Sequence, residues 1–236
     1  MENLKLALTE IVTHCCDVKT FRFELKNGDV TFKPGQYLIL TLNIAGKDVP
    51  KAFSISSSPT EKGFVQFTKK LSNSDFSNAL NNLKIGEEYS IRLPMGKFIF
   101  DGQFPKVAFL SGGIGITPIR SIFKYAVDKK LSSSLVLFYS SRTPEYLIFR
   151  NDFSLMQDAD TNIKVVYTLT NCNEMIAGCR AGYIDDEMVK QEMPDYKERV
   201  FFICGPPGMV DGMRAMLLNK LSIPSGQIIT EDFLGY

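Results

Sequence analysis

Only one histidine, His14, occurs in the 236 residues, and no two cysteines form a CxxC pair. A Ser-His-Asp or Cys-His hydrolase needs an imidazole beside its nucleophile, and His14 is remote from every other distinctive segment. Zinc and iron–sulfur centres need clustered Cys and His ligands, which this chain does not offer. His14 and the adjoining Cys15-Cys16 read as ordinary residues of a first strand. The five cysteines, Cys15, Cys16, Cys172, Cys179 and Cys204, are odd in number and scattered. That argues against a disulfide framework and for a reducing, cytoplasmic setting. No apolar run approaches the ~20 residues of a spanning helix, and the first five residues show no signal-peptide pattern. Charge of one sign is lacking too: 27 Lys and Arg face 26 Asp and Glu, which argues against nucleic acid as the partner.

What is present divides into two halves with different periodicities. Before residue 103 the pattern is of strands. Phe21-Arg22-Phe23-Glu24-Leu25 alternates apolar and polar, as a half-buried strand does. Residues 37–42, entered through the turn signal Lys33-Pro34-Gly35-Gln36, residues 64–67 and residues 89–93 continue the series. Short strands at this spacing predict an antiparallel β-barrel or sandwich. One helix interrupts them, where Asp75 and Ser77 offer polar caps beside Phe76, Ala79 and Leu80. After Phe104-Pro105, Val107-Ala108-Phe109-Leu110 is continuously apolar, the mark of a strand buried on both faces. Strand candidates at 135–139, 163–167, 200–204 and 228–229 then alternate with helical segments at 118–129, 145–157, 185–193 and 207–221. That alternation predicts an α/β domain with a parallel sheet. The expected domains are 1–103 and 104–236.

Parallel sheets bind ligands at the carboxyl ends of their strands, and two such ends are unusual here. Ser111-Gly112-Gly113-Ile114-Gly115-Ile116-Thr117-Pro118 links a strand to a helix through glycines that let backbone approach a phosphate at the helix N-terminus. Pro118 suits a first helical turn. It stands where the dinucleotide fingerprint G-x-G-x-x-G would have its third glycine, so a merely connecting turn is the alternative reading. The second end is Cys204-Gly205-Pro206-Pro207-Gly208. A cysteine there could lie against substrate, although a lone cysteine is more often a small buried hydrophobe.

Taken together, these residues resemble the ferredoxin–NADP reductase superfamily, FAD-binding reductases with a barrel followed by a nucleotide domain. The resemblance spans the chain. Lys51-Ala52-Phe53-Ser54 is similar to the family's Arg-x-Tyr-Ser flavin motif. Phe67-Thr68-Lys69 matches its flavin-contacting strand, and Phe76-Ser77-Asn78-Ala79-Leu80 the helix start that holds the FAD pyrophosphate. Gly112, Gly113, Gly115, Thr117 and Pro118 match the pyridine-nucleotide loop, and Cys204, Gly205 and Pro206 the nicotinamide-side motif. Glu231, Asp232, Phe233 and the final Tyr236 resemble the acidic-aromatic ending.

The resemblance implies an oxidoreductase that moves hydride from NAD(P)H onto bound FAD. It implies Ser54 near flavin N5, Phe53 against the ring, Lys51 and the backbone at Ser77 on the pyrophosphate, and Cys204 near nicotinamide C4. Ser54, Cys204 and Glu231 are then the catalytic candidates. Electrons would leave to a separate acceptor, such as ferredoxin, another iron–sulfur protein or a cytochrome, or to a small molecule. Two other readings stand beside this one: an NAD(P)H:flavin reductase that uses free flavin as substrate, and a non-catalytic nucleotide-binding subunit. Two departures bear on FAD. Lys replaces Arg at 51, a point charge in place of a planar fork, and Phe replaces Tyr at 53. Thr170-Asn171 stands where enzymes using the phosphorylated nucleotide often carry Ser-Arg. NADH is therefore the expected donor, with Arg142 and Arg180 as candidates for a 2′-phosphate contact.

Overall fold

The computed structural model describes residues 2–26, 30–171 and 176–233. Cys172 and Tyr236 lie outside them.

Eighteen phenylalanines and many β-branched residues feed two sheets. In the first, β1 (Glu2–Cys15), β2 (Val18–Glu24), β3 (Tyr37–Ile44), β4 (Lys47–Ser54), β5 (Phe64–Lys70) and β6 (Glu88–Met95) pair in the order β4-β3-β6-β1-β2-β5. Every pairing is antiparallel. Ile55, one residue beyond β4, bridges Phe67 in β5, so the two edge strands meet at that end and the sheet curls into a half-barrel. The alternation predicted around residue 22 is real: Phe21 and Phe23 are fully buried, while Arg22 faces out over the Phe64 ring. The interior is closed by Leu8, Leu38, Leu40, Val65, Phe67 and Leu93. Each such side chain contributes about 1.5–3 kcal/mol by leaving water. The helix α1 (Asp75–Asn81) adds Phe76 and Leu80 to this core.

The second sheet holds β7 (Lys106–Gly112), β8 (Ser134–Ser141), β9 (Ile163–Leu169), β10 (Cys179–Ala181), β11 (Val200–Gly205) and β12 (Ile228–Asp232). All its pairings are parallel, in the order β10-β9-β8-β7-β11-β12. The helices are α2 (Ile116–Lys129), α3 (Arg150–Ala159), α4 (Asp186–Glu192) and α5 (Pro207–Asn219). As the apolar run predicted, Val107, Ala108, Phe109 and Leu110 are buried on both faces. The order runs outwards in both directions from β7 and β11, which makes their carboxyl ends the switch point of the sheet.

Three local expectations shift. Cys16 lies in the turn after β1, not in the strand. The helix predicted from 145 starts at Arg150, behind a short 3₁₀ turn at Pro144–Tyr146 and a left-handed Phe149 (φ 62). Pro118 is the third residue of α2, whose first turn grows directly out of the 3₁₀ turn Gly113–Gly115. Two compact units result: Met1–Asp101 with Thr117–Tyr125, and Gly102–Ile116 with Ala126–Tyr236. No helix among the described residues is long and apolar enough to cross a membrane.

Candidate functional site

In the first unit, the sequence motif Lys51-Ala52-Phe53-Ser54 is the end of an edge strand. Lys51 and Ala52 are exposed, Phe53 is half-buried and Ser54 is buried. Pro50 fits here because an edge strand can lack one donor. The Phe53 ring stacks on Phe67 at 4.4 Å and 14°, and Phe76 from α1 closes in at 5.9 Å. Three elements thus build one aromatic platform. Lys69 Nζ stands 5.9 Å from the Phe53 centroid. Burial, then the nearby Lys51, holds the Lys69 ammonium below its usual range. Lys19, opposite Lys69 in register, turns its ammonium to Asn81 Oδ1 at 3.0 Å, so Lys51 is the like charge that Lys69 faces. An anionic group bound there would relieve that repulsion.

Thr68 spends its side chain inward. Its hydroxyl meets Thr20 Oγ1 at 2.6 Å and Ser56 Oγ at 3.0 Å, and Thr20 meets His14 Nε2 at 2.8 Å. Ser77 does not open α1 as the motif suggested; it is the third residue. Ser74 caps the helix, accepting the Ser77 backbone N–H at 3.3 Å, and the buried Ser77 hydroxyl accepts from the Ser72 N–H at 3.1 Å. Asn78 is exposed.

In the second unit the nucleotide loop has a steric logic. A Cβ on Gly112 would sit 2.2 Å from Met209 Sδ, and one on Gly115 would sit 2.2 Å from the Cys204 carbonyl oxygen. Gly113 has φ +53, a region costly for other residues. The loop therefore presses against the end of β11. Register places Ser111, Cys204 and Glu231 side by side on β7, β11 and β12. Adjacent partners in a parallel sheet share a face, so the three form one row at the switch point. Ser111 Oγ and Glu231 Oε2 are both enclosed without a hydrogen-bond partner among the described residues. Such atoms call for an explanation, and an absent ligand is one. Burial raises the Glu231 carboxyl to about 7. Burial, then Glu231 and Asp232, pushes the Cys204 thiol well above its usual range. That thiol stays protonated at neutral pH and packs as a small apolar group, not a nucleophile. The Phe233 N–H donates to the Gly205 carbonyl at 3.2 Å, fastening the end of β12.

The remaining candidates lie apart from this row. Arg142 is exposed just beyond β8. Arg180, on β10, is committed to Glu192 and to Gln191 at 3.1 Å. Ser111 stood in the glycine-loop motif without a role of its own, and nothing in the sequence marked the buried hydroxyls of Ser141, Tyr167 and Thr168, which also lack partners among the described residues towards the carboxyl ends of β8 and β9. Arg150 was missed as well. Its guanidinium lies 5.3 Å from the Tyr167 centroid and donates to the Ala177 carbonyl at 3.2 Å. Ser111, Ser141, Tyr167 and Thr168 are marked only by lying towards a strand end, which follows from register, and Arg150 only by opening α3.

The oxidoreductase FAD-binding domain family matches residues 5–100, and the oxidoreductase NAD-binding domain family matches residues 109–215. The glycine betaine monooxygenase reductase subunit of Chromohalobacter salexigens is 34% identical over 219 residues, covering 89% of this chain and 59% of that protein. Its counterpart in Pseudomonas aeruginosa is 33% identical over 214 residues, covering 88% and 58%. The chain thus spans about three fifths of the length of these curated relatives. A ferredoxin NADP+ reductase from Neisseria gonorrhoeae, solved with FAD and NADP, shares the fold at TM-score 0.81 and 19% identity, covering 98% of this chain and 99% of that one. With an FAD-binding half and an NAD-binding half joined in that order, the chain belongs to the oxidoreductases built from these two domain families, and it has the fold of a ferredoxin–NADP reductase.

Proposed function

We propose that this chain is an NADH-dependent reductase that carries bound FAD and passes electrons to a separate redox protein. The observation that carries the reading is the row Ser111–Cys204–Glu231 beside the glycine loop, at the switch point of the nucleotide-binding sheet. Its two unpartnered polar atoms and its neutral thiol suit an uncharged ring with a polar substituent, which is the chemistry of the reduced nicotinamide of NADH. The residues present also fit FAD: the half-buried Phe53 ring, backed by the core rings of Phe67 and Phe76, offers apolar cover, and Lys51 with Lys69 offers charge for a pyrophosphate. Bound FAD supplies the ring that accepts hydride from the nicotinamide and releases electrons onward. Within that frame the functional domains are 1–103 and 104–236.

The chain's own residues have distinct tasks. Lys51 and Lys69 hold the pyrophosphate. Ser54 donates a hydrogen bond beside the flavin ring. Gly112, Gly113 and Gly115 let backbone N–H groups reach the dinucleotide phosphates. Cys204 excludes water and sets the nicotinamide angle, and Glu231 holds or releases a proton at its enclosed oxygen. The relatives named above are reductase subunits of a monooxygenase, so the proposed acceptor is a separate oxygenase or iron–sulfur component.

The test is the visible spectrum of the purified protein under anaerobic titration with NADH and, separately, NADPH. Bound flavin absorbance bleached by NADH supports the proposal. A colourless protein that oxidises NADH only when free flavin is added would assign it instead to the flavin reductases. Ser54→Ala is expected to retain FAD and slow flavin reduction by about tenfold to a hundredfold; unaltered reduction kinetics would remove Ser54 from the mechanism. Arg142→Ala and Arg180→Ala are expected to leave NADH-dependent turnover intact. A loss confined to NADPH would reverse the assigned donor.

A further inference from the structure

We propose that Arg120 is a positioning residue for the flavin-side loop: together with Ser121 it fixes residues 55–61, and through them the placement of Ser54. The inference rests on the role given to Ser54 above.

Ser56, Ser57 and Ser58 follow Ser54 almost at once, and none of the three has any exposed surface. Three consecutive buried serines bring a high density of polar atoms into the interior, and each must find a partner. The barrel satisfies one side. Ile55 N–H donates to the Gln36 carbonyl at 2.9 Å, Ser56 N–H to the Gln66 carbonyl at 2.8 Å, and Gln66 N–H to Ser57 Oγ at 3.0 Å. The Ser56 hydroxyl lies 3.0 Å from Thr68 Oγ1.

The carbonyls of Ser56 and Ser57 are satisfied by α2, whose residues 117–125 pack as part of this same unit. Arg120 Nη1 donates to the Ser56 carbonyl at 2.8 Å, and Ser121 Oγ to the Ser57 carbonyl at 2.6 Å. The Arg120 guanidinium also forks onto Glu61, at 2.8 Å to Oε2 and 3.2 Å to Oε1. Glu61 Oε2 in turn accepts the Ser58 N–H at 2.7 Å. One guanidinium therefore grips both ends of a seven-residue loop, directly at Ser56 and through a carboxylate at Ser58 and Glu61. Burial alone would raise the Glu61 carboxyl, and the Arg120 guanidinium outweighs it, leaving that carboxyl below its usual range.

The pair is well enclosed, with side-chain exposures of 10% and 18%. Buried ion pairs add little net stability over an apolar pair of similar volume. What this arrangement supplies is direction. A planar fork holds a carbonyl and a carboxylate in fixed relation, which a lysine ammonium, as a point charge, cannot reproduce. A reacting geometry displaced by about 1 Å can lose about a hundredfold in rate. The anchored carbonyl of Ser56 is two residues from Ser54, so loosening it displaces the hydroxyl.

The test compares wild type, Arg120→Lys and Ser121→Ala by anaerobic stopped-flow reduction with NADH and with NADH deuterated at the transferred position. Rates are taken per bound flavin, alongside thermal midpoints and flavin content. Arg120→Lys is expected to lower the limiting reduction rate about tenfold or more, to change the primary isotope effect, and to leave the NADH dissociation constant near wild type. Ser121→Ala is expected to act in the same direction by a smaller factor. A residue with only a structural role would lower the thermal midpoint or flavin content and leave the rate per bound flavin and the isotope effect unchanged. That result in both variants overturns the inference. A wild-type protein that NADH does not reduce would overturn the functional reading instead.

Discussion

Gly115→Ala is expected to reduce NADH-dependent flavin reduction at least about a hundredfold while leaving FAD bound. The added Cβ would lie 2.2 Å from the Cys204 carbonyl oxygen, 2.6 Å from its carbon and 2.7 Å from Gly205 Cα. All three are backbone atoms of β11, held in register by β7 on one side and β12 on the other. The strand cannot give way, so the loop must. Overpacking of this kind costs about 1–3 kcal/mol or more, and here it falls on the backbone that is proposed to meet the dinucleotide phosphates. Gly112→Ala is the internal comparison. Its Cβ would meet Met209 Sδ at 2.2 Å, but a methionine end can rotate aside, so a loss of about tenfold or less is expected. Stopped-flow reduction and NADH titration of both variants measure this. Equal losses at the two positions would mean that contact with β11 is not what demands glycine at 115.

Glu231→Gln is expected to flatten a pH dependence. The wild-type carboxyl, raised to about 7 by burial, binds a proton below that pH and is ionised above it. A carboxylate beside Cys204 favours the positive charge that develops on a nicotinamide ring as it gives up hydride. The limiting reduction rate should therefore rise by about tenfold as pH increases through 7. Glu231→Gln, which mimics the protonated form, should stay at the low-pH rate throughout. Stability moves the other way. Because the folded state holds this proton more tightly than the unfolded chain, stability is lost as pH rises from the ordinary carboxylate range towards 7. Above that pH the Gln variant should melt at or above the wild-type temperature. A wild-type rate profile without a step between pH 6 and 8 would separate Glu231 from hydride transfer (that interval brackets the value of about 7).

Much of the architecture follows from local pattern. The period-two alternation at Phe21–Phe23 and the unbroken apolar run from Val107 each match the burial found, because a side chain's face is set by strand geometry alone. The glycines at 112, 113 and 115 were equally visible, since backbone freedom is a property of the residue. Other features depended on partners far away in sequence. Thr68 is a flavin-strand residue by motif, yet its hydroxyl belongs to the chain His14–Thr20–Thr68–Ser56. Arg120 is an unremarkable helix residue until Glu61 and Ser56 are brought to it.

The sequence by itself determined the two kinds of sheet, the order of the two halves and the positions of the turns, all consequences of short-range periodicity and backbone freedom. Only the tertiary structure decided that Ser111, Cys204 and Glu231 stand in one row, why position 115 admits no side chain, and which groups have their charge shifted by burial. Strand register and desolvation arise between segments a hundred residues apart, and no local pattern encodes them.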